Sequence, residues 1–124
     1  KKEWFLSLVL EKLDIWDDED KKKMRYNKLV RDKIPEIIKK EGAVPITHLA
    51  SDNEYWQKLK EKLQEEVNEF MKDSNEEELA DILEVVYAIG DFKKIDKNKL
   101  ELLRKKKAEK RGGFRDKVIL DETE

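Results

Sequence analysis

From about Asn53 to Asp73 the apolar residues Trp56, Leu59, Leu63, Val67 and Phe70 recur every three or four positions, the spacing that aligns one face of an α-helix. A second stripe follows at Leu79, Ile82, Val86 and Ile89. Ser74 with Glu77 three residues on has the form of a capping box, which predicts that the second helix starts there and that Gly90 ends it. So short a connection predicts an antiparallel helix hairpin. Asp96 is placed to cap a third helix running through Leu100 and Leu103, and Gly112 and Gly113 to stop it. Phe114 to Leu120 reads as extended or irregular.

Upstream, Met24 to Lys40 carries Leu29, Val30, Ile34, Ile37 and Ile38, with Pro35 marking a break or a helix start and Gly42 and Pro45 a loop. Residues 3–16 read as a helix apolar around much of its circumference, and the charged run over 17–23 as a solvated hinge. The expected organisation is therefore an extension over 1–23 (an accessory helix, an upstream fusion or an appended segment) and one domain over 24–124, of all-α class. No internal repeat and no low-complexity segment interrupts this plan.

Composition sharpens the picture. A chain of 124 residues with 47% charged and 38% hydrophobic residues suits amphipathic helices over a thin core, and it predicts a homodimer or homotetramer as a source of further burial. With 28 basic against 30 acidic residues the net charge is −2, so no global field draws the chain to nucleic acid, and none is expected as a partner. The absence of Cys excludes disulfides, thiolate zinc sites and cysteine nucleophiles, and fits a cytoplasmic home. The longest apolar stretch, Trp4 to Leu10, is far shorter than the ~20 residues that span a bilayer, and it lacks the small-residue cleavage site of a signal peptide.

The candidate chemistry lies in the acids of the hairpin. At about 100° per residue, with Leu63 at the centre of the first apolar face, Glu66 falls about 60° away, Glu69 about 120° and Glu65 about 160°. Centred on Ile82, Glu78 falls about 40° away and Asp81 about 100°, while Glu77 and Glu84 point outward. Glu66, Glu69, Glu78 and Asp81 are thus expected on or beside the seam between the helices, and Glu65 in solvent. Four carboxylates along one seam repel each other, and a hard divalent cation with an all-oxygen shell, Mg²⁺ with Mn²⁺ as its substitute, is the natural compensation. The competing reading is a solvated acidic face, with Glu78 favoured simply by the helix dipole.

The order Glu65-Glu-x-x-Glu69 then Glu78-x-x-Asp81 resembles the motif of the all-alpha NTP pyrophosphatase superfamily, the MazG-like enzymes. Tyr26 to Ile38, Leu79 to Tyr87 and the basic segment closing in Arg111-Gly-Gly-Phe114 are similar to its predicted house-cleaning subgroup, which acts on noncanonical nucleotides. The likeness spans about residues 24–120. It implies a MazG-like helical bundle, Mg²⁺ ligation by Glu66, Glu69, Glu78 and Asp81, and hydrolysis of a nucleoside triphosphate to the monophosphate and pyrophosphate. Glu66 or Glu69 would accept the proton of the attacking water. Only eight residues separate Glu69 from Glu78, so a roomy base-binding insertion between the helices is not expected.

Lys28, Arg31 and Lys33 are candidates to grip the triphosphate, with Lys107, Lys110 and Arg111 as further ones; ordinary surface charge is the competing reading. His48, the sole histidine, is a candidate general base from a loop. Trp56 and Tyr87 are candidate stacking residues, although Trp56 belongs to the apolar stripe. Two other functions compete: a phosphoribosyl-ATP pyrophosphohydrolase-like activity, and a non-catalytic helical scaffold whose run Arg104 to Lys107 binds an anionic partner.

Overall fold

The computed structural model describes residues 25–124. The helix expected over 3–16, the hinge after it and the extension over 1–23 lie outside the described residues. Those described form four helices and no strand: α1 (Ile34–Lys40), α2 (Asp52–Asp73), α3 (Glu76–Phe92) and α4 (Lys97–Arg111). The all-α class read from the pattern is observed. The chain divides into two units, the residues up to Val86 and those from Tyr87 to Glu124.

In the first unit, Arg31 O accepts from Ile34 N at 3.0 Å to close a turn, and α1 begins beside Pro35 at a position where the missing proline N–H costs nothing. Pro35 is therefore a helix start. Ile34 is buried, with Tyr26, Val30, Ile37 and Ile38 packed against it, so the non-helical segment before α1 gives two residues to this small core and the helix three. A loop carrying Gly42 at φ +91° leads to Ser51, whose Oγ accepts from Glu54 N and caps α2.

Along α2, Leu59 is 1% exposed, while Trp56, Leu63, Val67 and Phe70 are half-buried. Apolar burial is thin as expected: Ile34, Leu59 and Val85 are the buried hydrophobic residues among those described. The expected start of α3 is corrected. Ser74 is the C-cap of α2, in the left-handed region at φ +50°, and its hydroxyl donates to Phe70 O. The cap of α3 is Asn75, whose Oδ1 accepts from Glu78 N at 3.0 Å. The α3 stripe is corrected at its start: Leu79 is 53% exposed and Val85 is buried, while Ile82, Val86 and Ile89 are half-buried.

In the second unit α3 continues past Gly90 to Phe92, against the expectation that Gly90 stops it. Gly90 is there for close approach: a Cβ on it would lie 2.7 Å from Ile95 O, and Gly90 O accepts from Ile95 N at 2.7 Å. Asp96 caps α4 through Lys99 N at 2.8 Å, and Gly112 ends it, both as expected. Residues 114–124 carry no helix or strand. No described helix is long and apolar enough to cross a membrane.

Candidate metal centre

Near its C-terminal end α2 presents Glu66, Glu69 and Asp73, and across the two-residue connection α3 presents Glu78 and Asp81 in its first turns. One oxygen from each of Glu66, Glu78 and Asp81 lies within 4.8 Å of the others, and the same holds for Glu69, Asp73 and Glu78. Glu78 belongs to both groups. Burial separates these acids from ordinary surface carboxylates: Glu66 is 3% and Glu78 5% exposed, whereas Glu69 is half-buried and Asp73 exposed. A carboxylate stripped of water and set beside like charges is unfavourable until cations compensate it.

The protein supplies part of that compensation. Arg31 Nη2 donates to Asp81 Oδ1 at 2.7 Å, bringing the segment before α1 onto α3. Lys62, one turn before Glu66, sets its Nζ 3.3 Å from Glu66 Oε1 and 3.3 Å from Glu65 Oε2, and Lys28 Nζ donates to Glu65 Oε1 at 2.7 Å. Burial acts to raise the Glu65 carboxyl, but the hydrogen bond from Lys28 and the charges of Lys62 and Lys28 outweigh it and hold the group below its ordinary range. The expectation that Glu65 faces solvent is corrected: the segment around Lys28, remote in sequence, covers that flank of α2.

The donor set suits a hard divalent ion. An octahedral Mg²⁺ sets its oxygen ligands about 3–4.2 Å apart, the same scale as the separations in the Glu66, Glu78 and Asp81 group. Three carboxylates with no nitrogen or sulfur donor favour Mg²⁺ or Mn²⁺ over zinc.

The other candidates separate by position. Lys33 is exposed before α1. Lys107, Lys110 and Arg111 are exposed on the last turns of α4, in the second unit. His48 Nε2 lies 2.9 Å from Glu54 Oε1; Glu54 precedes Glu66 by twelve residues, about 18 Å along a helix, which takes His48 away from the acids. Trp56 and Tyr87 each have an ammonium over the ring, Lys60 at 5.2 Å and Lys97 at 4.7 Å. A groove of about 190 Å³ bounded by Tyr26, Lys28, Lys58, Lys62 and Glu65 is smaller than the ~300–1,000 Å³ of typical ligand pockets. Asp73 was missed by the wheel, although its spacing four residues after Glu69 was a usable signal.

Comparison with known proteins adds one local match. No family model and no solved structure matches the chain. Over 41 residues it is 54% identical to an uncharacterized protein of Mycolicibacterium smegmatis, a stretch that takes in 33% of this chain and 42% of that protein. The chain thus spans less than half the length of this relative, and the functional reading rests on the carboxylates themselves.

Proposed function

We propose that the chain is a Mg²⁺-dependent nucleoside triphosphate pyrophosphohydrolase of the MazG-like, house-cleaning kind, converting a nucleoside triphosphate and water to the monophosphate and pyrophosphate. The observation that carries the reading is the convergence of Glu66, Glu78 and Asp81, from two helices, with Glu66 and Glu78 withdrawn from water. The resemblance of Tyr26 to Ile38 and of the acidic motifs to that superfamily supports it independently of their geometry.

Glu66, Glu78 and Asp81 hold the ion in this proposal. Bound there, Mg²⁺ supplies positive charge to the triphosphate oxygens and lowers the pKa of water. Glu69 lies outside that group and is half-buried, so it is the carboxylate left to accept the proton of the attacking water. Lys28 lines the groove beside α2 and supplies positive charge near the phosphates. Lys33, Lys107, Lys110 and Arg111 carry no part of the reading. A homo-oligomer belongs to it, since Val44, Ile46 and Leu49 before α2, and Leu79 and Leu83 on α3, are exposed apolar surface.

The test is pyrophosphate release from canonical and modified nucleoside triphosphates and from phosphoribosyl-ATP, with and without Mg²⁺. Glu66→Gln and Asp81→Asn should each lower the Mg²⁺-dependent rate at least about a hundredfold, because losing ~3 kcal/mol of transition-state stabilisation costs two decades. A folded protein that releases pyrophosphate from none of them is instead a helical binding protein.

A further inference from the structure

The charges of α4 are sorted by face. Measured from Leu103 at about 100° per residue, Lys99, Lys106, Lys107, Lys110 and Arg111 all fall within about 80°, whereas Glu109 lies about 120° and Glu101 about 160° away. These five cations are exposed, and among the described residues no hydrogen bond or ion pair engages their side chains. Arg104 and Lys105 stand apart from the face: Arg104 donates to Glu101 Oε1 at 2.6 Å, and Lys105 lies on the side of Glu101. The run Arg104 to Lys107 is therefore not one surface, while the five cations form one about 18 Å long with no acid in it. Just past the helix stop at Gly112, Phe114 is 98% exposed, and its carbonyl accepts from Lys117 N at 3.3 Å to close a turn that also carries Arg115.

We infer that α4 and the turn after it bind single-stranded nucleic acid without sequence preference, the five cations contacting phosphates and Phe114 stacking on an unpaired base. Lysines are point charges that meet phosphates without demanding a fixed geometry, and an exposed ring accepts the face of any base. The whole-chain charge of −2, which argued against nucleic acid, averages this face with acids elsewhere; at physiological salt a charge acts over only about 8 Å, so a bound strand responds to the local face. A bilayer fits less well: Leu100 and Leu102 lie about 60° and 100° to either side of Leu103 with the cations between them, so α4 has no apolar face free of charge to insert. An acidic protein would satisfy the cations and leave Phe114 in water. The inference is independent of the metal reading, since it uses none of the acids of α2 and α3.

The experiment is fluorescence anisotropy of short labelled oligo(dT) and oligo(U) with the full chain in EDTA, which keeps the metal centre out of the measurement. Binding should weaken about a hundredfold between about 50 and 200 mM salt, because each of about five phosphate contacts adds ~0.7 to the salt slope. Lys106→Gln with Lys110→Gln should lower affinity roughly tenfold or more at ~0.1 M salt and flatten that slope. Phe114→Ala should lower it about 5–150-fold with the slope unchanged, the signature of lost stacking. Lys39→Gln with Lys40→Gln, exposed at the end of α1, should change neither. Three results overturn the inference: no binding of either oligomer at low salt, full affinity in Phe114→Ala, or equal competition by polyglutamate, which would return the face to an acidic protein. Capture by phosphatidylserine vesicles in preference to the oligomers overturns it too, in favour of a membrane surface.

Discussion

Arg31 and Asp81 lie fifty residues apart in the chain and 2.7 Å apart in space. Their contact joins two segments whose relation is not apparent along the sequence: the basic stretch before α1 and the first turns of α3. A partly exposed ion pair of this kind typically contributes only ~0–1 kcal/mol to stability, so the contact fixes where the segment before α1 meets α3 more than it stabilises the fold.

The acidic cluster should be a site of stored repulsion. Glu78→Gln keeps shape and removes one charge from the group shared with Glu66 and Asp81, at the cost of a favourable interaction with the α3 N-terminus worth about 0.3–1 kcal/mol. Because Glu78 is almost fully buried, relief of repulsion should dominate. A net gain of about 1 kcal/mol would raise Tm in EDTA by roughly 4–8 °C. Wild-type Tm should rise on adding Mn²⁺, by the equivalent of about 2.7 kcal/mol at a hundredfold excess over Kd, and the variant should lose that response. Melting curves in EDTA and Mn²⁺ check both; a variant less stable than wild type in EDTA contradicts the repulsion argument.

Acid stability should depend on Glu65. Its carboxyl is held below the ordinary value of about 4.5, so near that pH the unfolded chain binds more protons than the native one and stability rises with pH. The contribution is present above the unfolded value and is lost as pH falls through the lowered native one. Glu65→Gln should therefore flatten the acid limb of the stability curve, and Lys28→Met should do so in part. Urea midpoints measured across the mildly acidic range test this; an unchanged slope in Glu65→Gln counts against it.

At Gly90 two effects oppose each other. Alanine is favoured over glycine inside a helix by about 1 kcal/mol, but the new Cβ would meet Ile95 O, a backbone atom, at 2.7 Å. Overpacking of this kind costs about 1–3 kcal/mol and the backbone must shift, so Gly90→Ala should destabilise the chain. Denaturant unfolding decides the sign.

The junction between α2 and α3 gives a paired test of the cap. Asn75→Ala should cost about 1 kcal/mol by removing the acceptor for Glu78 N. Ser74→Gly should stabilise by a few tenths of a kcal/mol or more, because Ser74 sits at φ +50° and glycine adopts that conformation without strain, with the loss of its hydroxyl bond to Phe70 O as the opposing term. If Ser74 were the cap, the order of the two effects would reverse, as thermal melts of the two variants will reveal.

The capping box is instructive about what a local pattern can specify. Ser74 with Glu77 and Asn75 with Glu78 are both capping-box-like spacings one residue apart, so the local pattern does not choose between them. The structure uses Asn75, and along α3 it exposes Leu79 and buries Val85 while Ile82, Val86 and Ile89 of the expected stripe are half-buried. Glu78 and Asp81 keep a place at the cluster under either reading because they flank the stripe at its edge.

The sequence by itself determined that α2, α3 and α4 form, the cap at Asp96, the stop at Gly112 and the candidacy of Glu66, Glu69, Glu78 and Asp81, since each follows from spacing along a repeat of 3.6 residues or from the conformational limits of single residues; Pro35 it left as a break or a start, and the ends of α3 it misplaced. Tertiary structure alone decided that Lys28 covers Glu65, that Arg31 reaches Asp81, that Asp73 joins Glu69 and Glu78, and that His48 spends its imidazole on Glu54. A wheel gives the direction of a side chain relative to its own helix axis. Which flank of that helix another segment covers depends on chain tens of residues away, and that is where burial, ion pairing and the pKa of Glu65 were set.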